Sequence, residues 1–415
     1  MRHVSDLYRR ARAASRGGLL PTIAVGWFLT LGTRFLLPAV LPEVKATFAI
    51  DDTTAGIAIT VVWAGYGLMQ FPAGVLVDRL DERTLLSLSL LLAGASLAVV
   101  GAAPVFPVFL VAGGLFGLST GLFGTSRGIA LAAFFRSNPG LAFGVTLGAG
   151  SVGSAALPYL GSVVTGLADW RLAVGLTVPL FLATAASTWW VVPADTDREA
   201  DGNGGESGNP GGATPTVGTA VRSLRPAFAD RAVAVGVCGV TIMLFTYQAL
   251  TAFLPTYLIA AKGVSRGTAA GLFALLFVAG AGFQLVAGTA ADRVGAPRVI
   301  LVIALVGVPA LAALPFVGGV LPLALLVVVV ASRVAVASVM NPYIIAALPD
   351  EAAGTGWGLL RTGFFLIGAT GSTVVGALAD RGLFDEAFYL LAALTAVAAA
   401  LFVLLPERRR DEAEG

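Results

Sequence analysis

The sequence predicts an all-α membrane protein in which twelve membrane-crossing helices form two six-helix bundles that repeat in the same orientation. Three observations carry that prediction. Hydrophobic residues make up 57% of the 415-residue chain and charged residues only 12%, with a mean hydropathy of +0.88, whereas soluble domains carry about 25% charge. The apolar residues fall into twelve runs close to the ~20 residues that a helix needs to cross a bilayer. Polar and glycine positions also recur 214 residues apart: Gln70 with Gln284, Gly74 with Gly288, Asp78 with Asp292, Arg79 with Arg293, Gly140 with Gly354 and Gly144 with Gly358.

In the first half the apolar runs fall at 19–41, 54–77, 84–103, 107–134, 140–166 and 172–192. In the second they fall at 232–260, 268–290, 298–317, 321–347, 354–378 and 387–405. The implied organisation is an N-terminal tail (1–18), a first bundle (19–192), a linker (193–231), a second bundle (232–405) and a C-terminal tail (406–415). The first tail carries Arg2, Arg9, Arg10, Arg12 and Arg16, and with so many spans after it reads as a cytoplasmic tail rather than a cleaved signal. Alternate loops hold Arg79, Arg83, Arg136, Arg198, Arg222, Arg225, Arg293 and Arg298, while the others hold only Lys45, Arg171, Lys262, Arg266 and Arg381. By the positive-inside rule the Arg-rich loops and both termini are expected on the cytoplasmic face of the cell membrane. The linker contains Gly-Asn-Gly-Gly-Glu-Ser-Gly-Asn-Pro-Gly-Gly, which lacks the apolar surface needed for a core. At its end, 217–229 reads either as an amphipathic helix on the membrane surface or as coil.

Composition also narrows the function. A formal net charge of +2 gives no basic patch, so no nucleic-acid partner is expected. The single cysteine, Cys238, permits no internal disulfide or cysteine metal site, and the single histidine, His3, lies in the tail. No metal or cofactor is expected, and little nucleophilic or proton-relay chemistry remains for an enzyme.

The segment Gly74-Val75-Leu76-Val77-Asp78-Arg79-Leu80-Asp81-Glu82-Arg83 resembles the loop after the second helix in the major facilitator superfamily, whose pattern is roughly Gly-x-x-x-Asp-Arg-x-Gly-Arg-Arg. This chain keeps Gly74, Asp78, Arg79 and Arg83 and departs at Asp81 and Glu82; a second copy keeps Gly288, Asp292, Arg293, Gly295 and Arg298. The resemblance implies two bundles that rock around a central cavity lined by the first, fourth, seventh and tenth helices. It also implies that Asp78 caps the eleventh helix near Gly354–Gly358, with Gly74 allowing close approach. The alternative for this loop is a solvated turn. In the fifth run Gly144, Gly148, Gly150 and Gly153 precede Leu157-Pro158-Tyr159-Leu160-Gly161, which partly resembles a family antiporter motif. Small residues at this spacing, like Gly363, Gly368, Gly371 and Gly376 in the eleventh run, also serve helix packing in lipid.

Four arginines interrupt the apolar runs: Arg34, Arg127, Arg333 and Arg361. Each costs about 2.5–3.5 kcal/mol at a helix centre on insertion scales, so such residues face a bundle interior or a water-filled cavity. No Asp or Glu lies well inside a run, which leaves an anion as their natural partner. Arg34 and Arg333 fall nearest mid-membrane and are expected to form an anion clamp, whereas Arg127 and Arg361 are near enough to the cytoplasmic ends to snorkel. Trp27 and Thr30 share a helix face with Arg34. Gln248 occupies the position of Arg34 in the repeat with Tyr247 beside it, and Asn341 lies two turns from Arg333.

The expected protein is a transporter of a small anion, an organic acid, working by alternating access as a monomer in the lipid bilayer. The open alternatives are an exporter of neutral or amphipathic compounds with structural arginines, and a non-transporting receptor on the same fold.

Overall fold

Among the described residues twelve helices are long and apolar enough to cross a membrane, each starting and ending within four residues of its expected run. The first six are Gly17–Ala39, Asp52–Leu76, Glu82–Ala102, Phe106–Phe134, Gly140–Leu167 and Trp170–Val191. The second six are Arg231–Ala260, Arg266–Val294, Ala296–Phe316, Val320–Ile345, Gly356–Ala379 and Phe384–Phe402. The computed structural model describes residues 2–77, 80–136, 139–193, 217–349 and 355–407, and no strand occurs among them. The expected loop residues Asp78 and Arg79, the repeat position Gly354 and the glycine-rich part of the linker lie outside the described residues. The first helix continues back from Gly17 to Arg2.

Short polar side chains at the ends of apolar runs start many of the spans. Asp51, Asp81, Asp169 and Asp230 accept hydrogen bonds from the backbone N–H groups of Thr54, Thr84, Arg171 and Ala232 at 2.8, 2.7, 3.0 and 2.7 Å. Each satisfies an amide that the first helical turn leaves free. This accounts for the departure at Asp81, which caps the third span while Glu82 occupies its first turn, where the helix dipole favours an acid. In the second copy of the motif Gly295 alone separates two spans, and its φ of 90° is open to glycine but strained for other residues.

Four spans are not uniform α-helices. The second is interrupted at Met69, the sixth at Leu176, the ninth ends in a 3₁₀ turn at Leu314–Phe316, and the tenth winds into a 3₁₀ segment at Ala331–Ala335, around Arg333. The span-eight residue Gln284 donates to the Val334 carbonyl in that tight segment at 3.2 Å.

The halves meet where the second span packs on the eleventh and the fifth on the eighth. Glycine allows close approach both between and within the halves: a Cβ on Gly56 would lie 2.5 Å from the Ser372 carbonyl oxygen across the seam, and one on Gly153 would lie 2.3 Å from that of Phe28 in the first span of the same half. Packing therefore accounts for Gly150, Gly153, Gly161, Gly368, Gly371 and Gly376, but Gly144, Gly148 and Gly363 have no described atom within 4 Å of a Cβ position. The stretch Val217–Ala227 is helical, with Leu224 and Ala227 buried against the core of the second half.

Candidate functional site

A helical side chain leans toward the N-terminus of its helix. Arg34 accordingly reaches back along the first span, where its Nε donates to the Thr30 carbonyl at 3.3 Å. Its guanidinium lies 4.1 Å from the ring centroid of Tyr66, 4.9 Å from that of Trp63 and 5.5 Å from that of Trp27. Arg127, from the fourth span, points inward by the same rule and sits 4.2 Å from the Trp27 centroid. Arg361 approaches from the second half and donates to the Tyr66 hydroxyl at 3.4 Å. Three cations from three helices therefore surround Tyr66, whose electrostatic neighbours are Arg361, Arg34 and Arg127.

Burial makes this arrangement chemically demanding. Arg34 is 1% exposed and Arg127 8%, so Arg127 does not snorkel. The Nη2 of Arg34, the Nε and Nη1 of Arg127 and the Nε of Arg361 are buried without a protein hydrogen-bond partner. Aromatic faces stabilise a cation through their quadrupoles but accept no strong hydrogen bond, so these donors stay open.

Arg333 is 2% exposed but differently placed. Its Nη1 donates to the Thr395 hydroxyl at 3.1 Å and its Nη2 to the Thr246 hydroxyl, tying the tenth span to the twelfth and seventh. Tyr247 stands within electrostatic reach of both Arg34 and Arg333.

A cavity of about 230 Å³ lies between the halves and contains Arg34, Arg361, Trp27, Tyr247, Asn341 and part of Arg333 in its wall. That is smaller than the usual pocket for a drug-sized ligand and suits a compact solute. Gln248 and Thr30 are fully buried and are not in the wall, although the Thr30 carbonyl holds Arg34. A larger groove, about 690 Å³, runs between the third and fourth spans, lined by apolar side chains with Ser96 and Ser119. Both serines donate to carbonyls of their own helices, so the groove offers no site for a charge.

The cavity occupies the middle and the motif end, meaning the end that carries the loop after the second span. Toward the opposite end Phe35 closes it, packing on Phe277 at 4.4 Å, Tyr247 at 6.4 Å and Phe273 at 6.5 Å between ring centroids. Beyond this plug the halves are tied by polar contacts. Thr60 meets the Ala369 carbonyl and the Thr373 hydroxyl at 2.8 Å each, and Glu43 pairs with Arg266 at 3.0 Å. Burial raises the Glu43 carboxyl above its ordinary range, only partly offset by its own backbone amide and by Arg266. Asp380 accepts from the N–H groups of Asp52 and Thr53 and from the Thr53 hydroxyl. Desolvation pushes the Asp380 carboxyl upward, but these bonds and nearby Lys45 outweigh it and hold the group below the usual carboxylate range.

Of the motif residues, Gly74 and Gly288 have no described atom within 4 Å of a Cβ position, and Asp292 and Arg293 are exposed. Arg83 lies over the Trp189 ring at 4.2 Å. The expected contact region on the eleventh span is adjacent, since a Cβ on Gly358 would lie 3.6 Å from the Gln70 carbonyl oxygen and the Phe71 Cα. Sequence reasoning missed Tyr66, Trp63 and Phe365, the aromatic frame of the cation cluster, and Thr246 and Thr395, which hold Arg333. The one signal for Tyr66 was its place one turn before Gln70.

Two repeated six-helix halves around a central cavity, closed at one end, define a membrane transporter that works by alternating access. The sequence profile of the Major Facilitator Superfamily matches residues 23–342. The chain belongs to this superfamily. No curated protein matches it in sequence. Among solved structures it is similar to a bacterial homolog of the human lysosomal transporter Spinster, inward-facing and unoccupied. That structure has a TM-score of 0.74 and 17% identity, with 94% of this chain and 97% of that one covered. The occupied inward-facing form of the same homolog matches with a TM-score of 0.73 and 16% identity, covering 94% and 96%.

Proposed function

We propose that this protein moves a small organic anion across the cell membrane, with Arg34 and Arg361 in the cavity wall and Arg127, outside the wall against Trp27, as the binding cations. The observation that carries the reading is their convergence on Tyr66 with no carboxylate beside them among the described residues, while donor atoms of all three remain unpaired. A guanidinium binds carboxylates and other oxyanions through paired, charge-assisted bonds. Three such groups favour a substrate with two or more negative charges, because a monoanion leaves most of the buried charge uncompensated. Tyr247 and Trp27 complete the wall, and Arg333 anchors the tenth span beside the site.

The motif end is the cytoplasmic one in this reading, as the distribution of basic loops indicates, and the cavity on that side corresponds to an inward-facing state. The chain acts as a monomer and not as an enzyme. The two bundles, joined by the 193–231 linker, rock about the site. Coupling does not run through a buried acid in the cavity, which leaves exchange, uniport or an ion carried with the substrate. A second reading, export of amphipathic compounds, draws on the aromatic wall of Trp27, Trp63, Tyr66 and Phe365.

Counterflow in proteoliposomes separates the two, using labelled mono- and dicarboxylates, their neutral amides and amphipathic cations. The anion reading expects countertransport of the dicarboxylates, with the neutral amides inert. Flux of the amides or amphipathic cations without anion flux would overturn it.

A further inference from the structure

The Gly-x-x-x-Asp-Arg pattern occurs a third time, as Gly376-Ala377-Leu378-Ala379-Asp380-Arg381, where the eleventh span ends. This copy stands at the opposite end of the molecule from the other two. Here every contact that such a motif requires is visible. Asp51 caps its own helix by accepting from Thr54. The two earlier amides, of Asp52 and Thr53, donate to the two carboxylate oxygens of Asp380 at 2.7 Å each, and the Thr53 hydroxyl adds a third bond. Gly376, one turn before Asp380, lies so close to the second span that a Cβ there would be 2.2 Å from the Asp52 carbonyl oxygen.

A carboxylate from the second half thus occupies the positive N-terminus of a helix from the first, where free amides and the helix dipole favour it. The donors are mostly backbone and hence fixed in place. The neighbouring Glu43–Arg266 pair relies instead on an arginine side chain that is 61% exposed, the kind of contact that contributes little. A similar sequence, Gly166-Leu167-Ala168-Asp169, ends the fifth span, but Asp169 bonds within its own half, to the Arg171 amide at 3.0 Å and its guanidinium at 3.8 Å. Sequence alone therefore does not make the latch; the position of the Asp52 helix end does.

We propose that Asp380 latches the two halves at the opposite end, and that it must leave the N-terminus of the second span each time that end opens. The gap is read by pulsed electron–electron distance measurement between spin labels at Val105→Cys and Phe316→Cys in a Cys238→Ser background. Both labelled positions are exposed and lie at the opposite end, one in each half. Asp380→Asn should raise the long-distance population about two- to fivefold, the range for losing one charge at a helix end. Gly376→Ala should widen the same gap without removing any charge, and Thr53→Val should do so to a smaller extent. Asp169→Asn should leave it unchanged, and a thermal melt of each protein serves as the folding control. Parental distance distributions in both Asp380→Asn and Gly376→Ala would overturn the latch, as would equal widening in Asp169→Asn. None of these readouts depends on the identity of the substrate.

Discussion

Arg34 and Arg333 are both almost fully buried arginines within membrane spans, but their surroundings differ in kind. Arg333 has hydroxyl acceptors from two neighbouring helices on its terminal nitrogens. Arg34 has three aromatic rings, the Thr30 carbonyl and the Tyr66 side chain around it, with Nη2 left unpaired. The terminal nitrogens of Arg333 are met within the fold and its Nε alone lacks a partner, whereas Arg34 keeps a terminal nitrogen open, the end of the guanidinium that the proposed reading turns toward a ligand. Depth in the membrane made the two residues look equivalent; their acceptors separate them.

The comparison is tested most strongly by removing two of the unmet cations together. Arg34→Ala with Arg361→Ala is expected to weaken binding of a dicarboxylate at least about a hundredfold, since each lost charge-assisted contact costs on the order of 1.5–3 kcal/mol. Isothermal titration on purified protein checks this, with circular dichroism as the folding control. Arg34→Lys keeps the charge but loses the planar fork, so about a tenfold loss is expected if the contact is bidentate; parental affinity would reduce Arg34 to a point charge.

On the other side of the comparison, Thr246→Val leaves a buried guanidinium nitrogen unsatisfied. It should lower stability by about 1–3 kcal/mol with anion affinity nearly unchanged. A large affinity loss at parental melting temperature would instead return Arg333 to the binding site. The smallest effect concerns Glu43. Its carboxyl is raised by burial, so the folded state holds its proton more tightly than the unfolded chain does. That contribution is full below the ordinary value of 4.5 and is lost as pH rises through the folded value. Melting temperature measured against pH should show this decline in the parent and not in Glu43→Gln.

Much of the fold was legible because lipid imposes it: a span must be long and apolar, and the chain has twelve such runs. The 214-residue repeat of glycine and polar positions was a second signal, whereas the cap formed by Asp81 was hidden behind its reading as a departure from the motif. The intramembrane arginines could be read for the same reason, as costly exceptions to an apolar pattern. Their grouping could not. Helical spacing identifies neighbours along one helix, such as Thr30 for Arg34, but Tyr66, Trp63, Thr246 and Thr395 come from other spans and are brought in by packing alone. Gln284 shows the boundary well. The repeat paired it with Gln70, yet Gln70 bonds back to the Tyr66 carbonyl in its own span while Gln284 crosses to Val334.

The 3₁₀ segment at Ala331–Ala335 has a geometric consequence. A 3₁₀ turn rises about 2.0 Å and rotates about 120° per residue, against about 1.5 Å and 100° in an α-helix. Rewinding these five residues to α-geometry would shorten the tenth span by about 2.5 Å and swing everything after it through about 100°. Asn341 would leave the cavity wall and a different strip of the helix would face the solute. The segment thus acts as a stored screw-turn within one helix, restrained by Gln284 on the Val334 carbonyl and by the two threonines on Arg333.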